Sequence, residues 1–593
     1  MPIRYRVDAT EPTTHRARFS VEIPTGGAPT VDLVVPSWVP GSYHLVNYVR
    51  GFRDVKARRS PDGAPLRVDR AEASRWRVHT DDAAEIRFDY SVYGHEMVTE
   101  AFDLTDQHLF LNAALALPFV DGRIDEAVEL ELHLPRDWTV VTELEELRPN
   151  PPTYRAGSYD ELVDSPLDAG HPLVVTVRPQ GIPHRIALCG EGGNYELHRI
   201  EQDLTRIAEA TMRLLGESPL RAYTFFVHLN DVADGGLEHA TSNSAVVART
   251  VFAPKEMYER FLSLESHEYF HLYNVKRIRP KVLGPFDYTR ENYTGLLWWM
   301  EGTTDYFSDL VLRRADLYSP ARFLEEVAKM AKQLLATPGR NVLSLEELSR
   351  IAWVDYYQQY EATPNQSVSY YVKGNLASLC LDLEIRHRSG TRASLETVVR
   401  RLWTDYGKPG RGLEEEELQA VAERATGLGL DEFFGRYIRG TTELDLDAFA
   451  RRAGLSFGPK APPADDPPAV PGYLGIRHKD ADGFLRVTHV LADTPAQRAG
   501  VSPGDEIVAV NGSKVAGPTF AKAMEGYPPG TEVELTLFRR GFLRRVATTT
   551  GTPPPEKYEF RPLPDADEAA RAVYRSWIGA DWEPPKPTGA GGA

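Results

Sequence analysis

The chain has 593 residues and a mass of 66.3 kDa, enough for three or four domains of roughly 150 residues each. Its 68 Lys and Arg against 85 Asp and Glu leave a net charge of −17, which argues against nucleic acid and against an anionic membrane surface as partners. Two cysteines exclude a disulfide scaffold or a Cys-rich zinc module, no apolar run of about 18 residues reads as a membrane span, and a start without an apolar leader predicts a cytoplasmic protein.

In chain order, residues 1–170 read as a β-sandwich-like domain. Apolar and polar residues alternate in Ala17–Ile23, Val31–Val35 and Val128–Leu134, with Gly and Pro turns such as Pro24–Pro29 between them. Residues 171–458 change character. Helical stretches run over Glu201–Leu215, Pro254–Val275, Leu296–Arg314, Pro320–Leu335 and Val368–His387 and continue to about Ala453, with a strand near Tyr223–Leu229. Residues 459–471, PKAPPADDPPAVP, are a linker, because repeated Pro and acid cannot pack a core. Short strands return over 472–552, and 553–593 form a Pro-rich tail with one helical piece around Asp567–Ile578 and a disordered GAGGA end.

The chemistry concentrates in His267-Glu268-Tyr269-Phe270-His271. On a helix, residues four apart share a face, so His267 and His271 can hold one ion while Glu268 reaches a water beside it. A hydrolytic zinc site needs a third protein ligand. Glu301 is the candidate: it follows five apolar residues, Leu296–Met300, and a buried acid needs a partner. Asp305, one turn later, could orient a ligand histidine.

HEYFHLYNVKRIRP followed by LWWMEGTTDYF, with PSWVPGSY at 36–43, resembles the glycyl aminopeptidase family of PDZ-containing gluzincin metallopeptidases. The resemblance implies a thermolysin-like, mainly helical catalytic domain behind a β-rich N-terminal domain, one Zn2+, and removal of small N-terminal residues such as Gly and Ala. Gly235-Gly236-Leu237-Glu238-His239 is similar to the family's exopeptidase signature. By that match Glu238 is an anion for the substrate α-ammonium, and Gly235 and Gly236 let backbone approach the peptide. Tyr370-Tyr371-Val372-Lys373-Gly374 resembles the segment carrying the oxyanion-stabilising tyrosine, which implies Tyr371, with Tyr370 as a competitor; read alone, both are helix-packing aromatics.

Tyr473-Leu474-Gly475-Ile476, then TPAQRAG at 494–500 and Gly504-Asp505-Glu506-Ile507 through Asn511-Gly512, resembles a bacterial-type PDZ domain, whose first segment holds a peptide C-terminus on backbone amides. The alternative is a PDZ fold that only packs against the catalytic domain. Gly454-Leu455-Ser456-Phe457-Gly458 fits a serine-hydrolase elbow, but the following linker cannot be its helix, so the match is chance. Lys276, Arg277, Arg279 and Lys281 read as a solvated face or structural ion pairs, and the two cysteines as small buried apolar residues. The expectation is a multidomain α+β zinc aminopeptidase acting on peptides with a free N-terminus. The alternatives are a zinc endopeptidase, which would lack an amine anchor, or a peptide-binding PDZ scaffold, which would have a broken metal set.

Overall fold

The computed structural model describes residues 2–233, 235–461, 470–481 and 483–584; most of the expected linker and the GAGGA terminus lie outside them. The chain divides into two compact units. The first contains Met1–Thr294, Phe307–Leu317 and Val398–Leu418; the second contains Gly295–Tyr306, Tyr318–Thr397 and Gln419–Ala593.

In the first unit, alternation builds an eight-stranded sheet. Ile3, Tyr5 and Val7 are buried while Arg4, Asp8 and the Arg6 between them are not, so Ile3–Asp8 lays one face on the core. That strand sits between Val128–His133, to which it is parallel, and Arg16–Pro24, to which it is antiparallel. Two four-stranded sheets complete the β-rich part. One runs Thr139–Val141, Leu167–Gly170, His108–Leu111, Phe102–Leu104, the other Phe119–Val120, Thr30–Val34, Arg75–His79, Val68–Glu72.

Next comes a five-stranded mixed sheet in the order Leu173–Val177, His184–Cys189, Tyr223–Asn230, Ser242–Ala248, Gly235–Glu238. Only the Tyr223 strand is expected from sequence. The three central strands are parallel, and Gly235–Glu238 is an antiparallel edge. Helices Leu197–Leu215 and Lys255–His271 belong to the same unit.

The second unit is built around the Tyr370–Arg388 helix, in which 15 of 19 residues are buried. Trp298–Gly302 forms a π-turn leading directly into the Thr303–Arg314 helix, where one continuous helix is expected. Leu455–Pro459 is a strand, paired with Tyr558–Pro562, and Ser456 Oγ donates to the Arg561 carbonyl at 3.3 Å; the serine-elbow match is chance, as expected. The terminal Glu568–Ile578 helix is anchored by Trp577, whose indole N–H donates to Tyr306 Oη at 3.1 Å, and by Arg386, which donates to the Ser576 carbonyl at 2.8 Å.

The PDZ sheet, Ile476–Ala481, Phe484–Val490, Glu506–Val510, Glu532–Arg539 and Phe542–Thr549, closes over its own core of Leu485, Val487, Ile507, Leu535 and Leu537. Asn365, in the short Thr363–Gln366 helix, grips it with both ends of its amide: Nδ2 donates to the Val490 carbonyl at 2.8 Å and Oδ1 accepts from the Ala492 N–H at 2.7 Å.

Candidate metal centre

The Lys255–His271 helix starts at Pro254, with Glu256 in the first turn where the helix dipole favours an anion. Its four-residue spacing puts the two imidazoles together: His267 Nε2 and His271 Nε2 are 2.8 Å apart, with ring planes at 82°. His271 Nδ1 lies 2.7 Å from the Asn274 carbonyl, so Nδ1–H donates there and Nε2 keeps its lone pair. The orienting acceptor of His271 is therefore a backbone carbonyl just past the helix end. Val275 follows at φ 121°, a strained conformation for a β-branched residue that holds the chain in this sharp exit.

Glu238, Glu268 and His271 each offer a ligand atom within 4.8 Å of the others, and all three are buried. Two buried carboxylates beside an imidazole lone pair repel one another unless positive charge joins them, so this site suits cations, a metal ion on the imidazole face and an ammonium on the Glu238 carboxylate. Around it stands a further carboxyl that the sequence reading passes over. Burial pushes Glu265 up to about 8, although Asn243 Nδ2 donates to its Oε2 at 2.9 Å. Asn243 is the register partner of Glu238 across the sheet edge.

The glycines of this site are steric requirements. A Cβ on Gly236 would lie 2.3 Å from Glu268 Oε1, so the edge strand presses directly on that carboxylate. A Cβ on Gly41, at φ 97° in PSWVPGSY, would lie 2.6 Å from Glu238 Oε2. Gly41 thus supports the proposed anchor from the N-terminal strands, a contact with no signal in sequence spacing. A cavity of about 270 Å³, lined by Gly41, Glu238, Val275, Lys276 and Arg279 among others, opens beside Glu238.

The basic cluster is an internal brace. Lys276 Nζ is 2.6 Å from Asp164 Oδ1, and Arg277 donates to the Ala240 carbonyl at 3.0 Å. Burial alone would raise Asp164, but Lys276 and His239 hold its carboxyl below the usual range. Asp164 also accepts from the Ala240 N–H at 3.0 Å, so it fixes the turn after Glu238.

In the second unit, Glu301 is buried on the π-turn. A Cβ on Gly302 would lie 2.6 Å from Gly374 Cα, so the π-turn crosses the Tyr370–Arg388 helix at a glycine–glycine contact. Ser369 caps that helix, accepting from the Val372 N–H at 3.4 Å. Tyr356, Tyr357, Tyr370 and Tyr371 cluster at its start, the Tyr370 and Tyr371 ring centroids 4.6 Å apart. Burial, then the Glu301 charge, raises both Tyr371 and Tyr357 well above the usual phenol range. Tyr370 is fully buried, whereas Tyr371 keeps part of its surface open. Tyr357 is a further phenol near Glu301 that no motif flags. Asp305, in the first turn of Thr303–Arg314, exerts its charge on Tyr356.

At the PDZ end, Tyr473 exchanges both backbone bonds with Gly551, so its amide is already used. The Leu474 carbonyl accepts from Ala496 and the Gly475 carbonyl from Leu491, and Ile476 opens the strand paired with Val490. The Leu474 side chain is core, and Gly475 sits at φ 79°, where a Cβ would meet Thr494 at 2.2 Å.

Residues 260–377 match the family model M61 glycyl aminopeptidase, residues 4–171 match the peptidase M61 N-terminal domain, and residues 472–550 match a PDZ domain. The crystal structure of an aminopeptidase N family protein from Idiomarina loihiensis is similar over 97% of this chain and 100% of that one, with a TM-score of 0.90 and 28% identity. A carboxy-terminal-processing protease of Bartonella bacilliformis is 36% identical over 72 residues, 12% of this chain and 17% of the relative. A probable periplasmic serine endoprotease DegP-like of Rhizobium meliloti is 35% identical over 97 residues, 16% of this chain and 18% of the relative. The chain thus spans less than a fifth of the length of the curated relatives it matches. Among the described residues no helix is long and apolar enough to cross a membrane.

Proposed function

We propose that this chain, whose residues 4–171 and 260–377 match the N-terminal and peptidase models of the M61 glycyl aminopeptidases, is a metallopeptidase of that family, a zinc-dependent aminopeptidase removing small N-terminal residues such as Gly and Ala. The observation carrying this reading is the convergence of Glu238, Glu268 and His271. An endopeptidase has no use for a buried acid beside the general base, whereas an exopeptidase needs one to bind the substrate's α-ammonium.

His267 and His271 would hold one Zn2+, with Glu301 as the third protein ligand. Support for Glu301 comes from helix continuity. It lies seven residues, about two helical turns, before Ser308, whose carbonyl accepts from Ser266 Oγ at 2.9 Å next to His267. Asp305 is proposed to orient His267, since His271 has the Asn274 carbonyl. When bound, the ion acts as a Lewis acid toward the scissile carbonyl and acidifies water. Glu268 takes the proton of the attacking water and delivers it to the leaving amine. Tyr371 donates its hydroxyl hydrogen bond to the developing oxyanion, in a setting that keeps the phenol protonated. Glu238 holds the free amino group with its carboxylate at the cavity edge, so cleavage stops after one residue. The PDZ domain is proposed to take a peptide C-terminus on Leu474 and Gly475.

The test is hydrolysis of Gly- and Ala-anilides before and after chelation, with zinc added back. Activity should vanish on chelation and return with zinc. Glu268→Gln should retain the metal and lose turnover by about 10²–10⁴-fold. Glu238→Ala should raise KM for free-amine substrates and narrow the preference over N-acetylated ones. Turnover that survives thorough chelation refutes the zinc mechanism; an unchanged ratio of free to blocked substrates in Glu238→Ala refutes the anchor.

A further inference from the structure

Away from the HExxH helix, the first unit contains a second convergence of metal-type donors. Cys189 and His228 are register partners on the parallel strands His184–Cys189 and Tyr223–Asn230, so their side chains emerge on one face of the five-stranded sheet. Asp168 comes from Leu167–Gly170, in the four-stranded sheet, where it pairs with Phe110. The thiol sulfur, an imidazole nitrogen and a carboxylate oxygen lie within 4.8 Å of one another.

All three side chains are buried, with 2% or less of their surface exposed. Both ring nitrogens of His228 and Oδ1 of Asp168 nevertheless have no hydrogen-bond partner. Their neighbours are apolar: Phe110 lies 4.3 Å from the His228 ring, and Cys189 packs in a buried cluster with Val141, Ala187 and Phe226, where a polar atom left without a partner is costly.

His228 Nε2 and Asp168 Oδ2 are 3.4 Å apart, too far for a good hydrogen bond. With bonds of about 2.0–2.1 Å to one tetrahedral ion, the expected spacing between N and O ligands is about 3.3 Å. We propose that Asp168, Cys189 and His228 form a second metal site, specific for a divalent cation of the zinc class.

Binding replaces the S–H bond of Cys189 by a sulfur–metal bond and releases that proton to solvent. A thiolate, a carboxylate and a neutral imidazole then balance the 2+ charge inside an apolar core. Asp168 can use both oxygens, which closes the coordination without water. His108 stands behind it: its Nδ1 is 3.1 Å from Asp168 Oδ2 and its Nε2 2.8 Å from Asp103 Oδ2, so it orients the carboxylate and is not itself free to ligate. The site would staple the four-stranded sheet of the β-rich part to the five-stranded sheet, a structural role separate from peptide hydrolysis.

The test uses the full chain with His267→Ala and His271→Ala, which removes the catalytic histidine pair. After loading with Co2+ and gel filtration, it should retain one equivalent of cobalt and show a thiolate-to-cobalt charge-transfer band in the near ultraviolet. Cys189→Ser should abolish the band, whereas Cys380→Ser should keep both band and equivalent. A double-alanine chain that is folded by circular dichroism yet binds no cobalt, or binds it without a thiolate band, overturns the proposal and leaves a plain His–Asp network. A band that survives Cys189→Ser overturns it as well.

Discussion

Gly236 lies directly against Glu268, the proposed general base. Its missing Cβ leaves the space in which the Glu268 carboxylate stands against the edge strand. Gly236→Ala should therefore displace Glu268 by a fraction of an ångström to an ångström. The expected outcome is a fall in kcat of about 10²-fold with metal content unchanged, read by steady-state kinetics beside metal analysis. A variant with wild-type kcat would show that the carboxylate tolerates the shift. His267, His271 and Glu268 are legible in the sequence because helical spacing alone brings them to one place. Asn243 and Gly41 are not, since they meet this site through strand register and through contacts between segments far apart in the chain, and Glu265, one turn before Glu268 on the same helix, goes unmarked because its partner Asn243 lies on a strand. Tyr357 escapes for the same reason: WVDYYQQY carries no periodic signal that distinguishes it from its neighbours.

At the scale of elements, the Lys255–His271 helix is seated on the five-stranded sheet through Tyr269 and His184. His184 Nδ1 lies 3.0 Å from the Ile182 carbonyl and donates to it, so Nε2 accepts from Tyr269 Oη at 2.9 Å. Burial holds this imidazole down at about 4 instead of its usual 6.5. Below pH 6.5 the unfolded chain takes up a proton that the folded chain refuses, so the stability tied to neutral His184 is complete above pH 6.5 and is lost as pH falls toward 4. At about 1.4 kcal/mol per pH unit the loss reaches about 3 kcal/mol across that window. Urea midpoints measured from pH 7 to pH 4 in the presence of chelator should drop more steeply for the wild type than for His184→Gln; parallel curves would rule out this group. Amphipathic helices such as Pro320–Leu335 are readable because one face repeats. His184–Cys189 and Ser242–Ala248 in the five-stranded sheet are not, because strands covered on both faces lose the alternation that would announce them, as their runs of buried residues show. Pairing of Leu455–Pro459 with Tyr558–Pro562 is equally invisible, being set by partners on either side of the PDZ domain.

For the molecule as a whole, one amide side chain, that of Asn365, satisfies two backbone groups of the PDZ domain at once. Asn365→Ala should leave the Ala492 N–H without its acceptor, speed hydrogen exchange at that amide, and cost about 1 kcal/mol, while the PDZ core keeps its own protection. Unchanged exchange at Ala492 would mean that the clamp is not populated in solution. The division into two units has a consequence for biosynthesis. The polypeptide passes from one to the other after Thr294, Tyr306, Leu317, Thr397 and Leu418, so neither is a continuous stretch of chain. A ribosome that has produced His267 and His271 has yet to make Tyr371, and the body housing those histidines still lacks its last segment until Leu418 has emerged. Translation interrupted before Leu418 therefore releases fragments in which neither unit is complete.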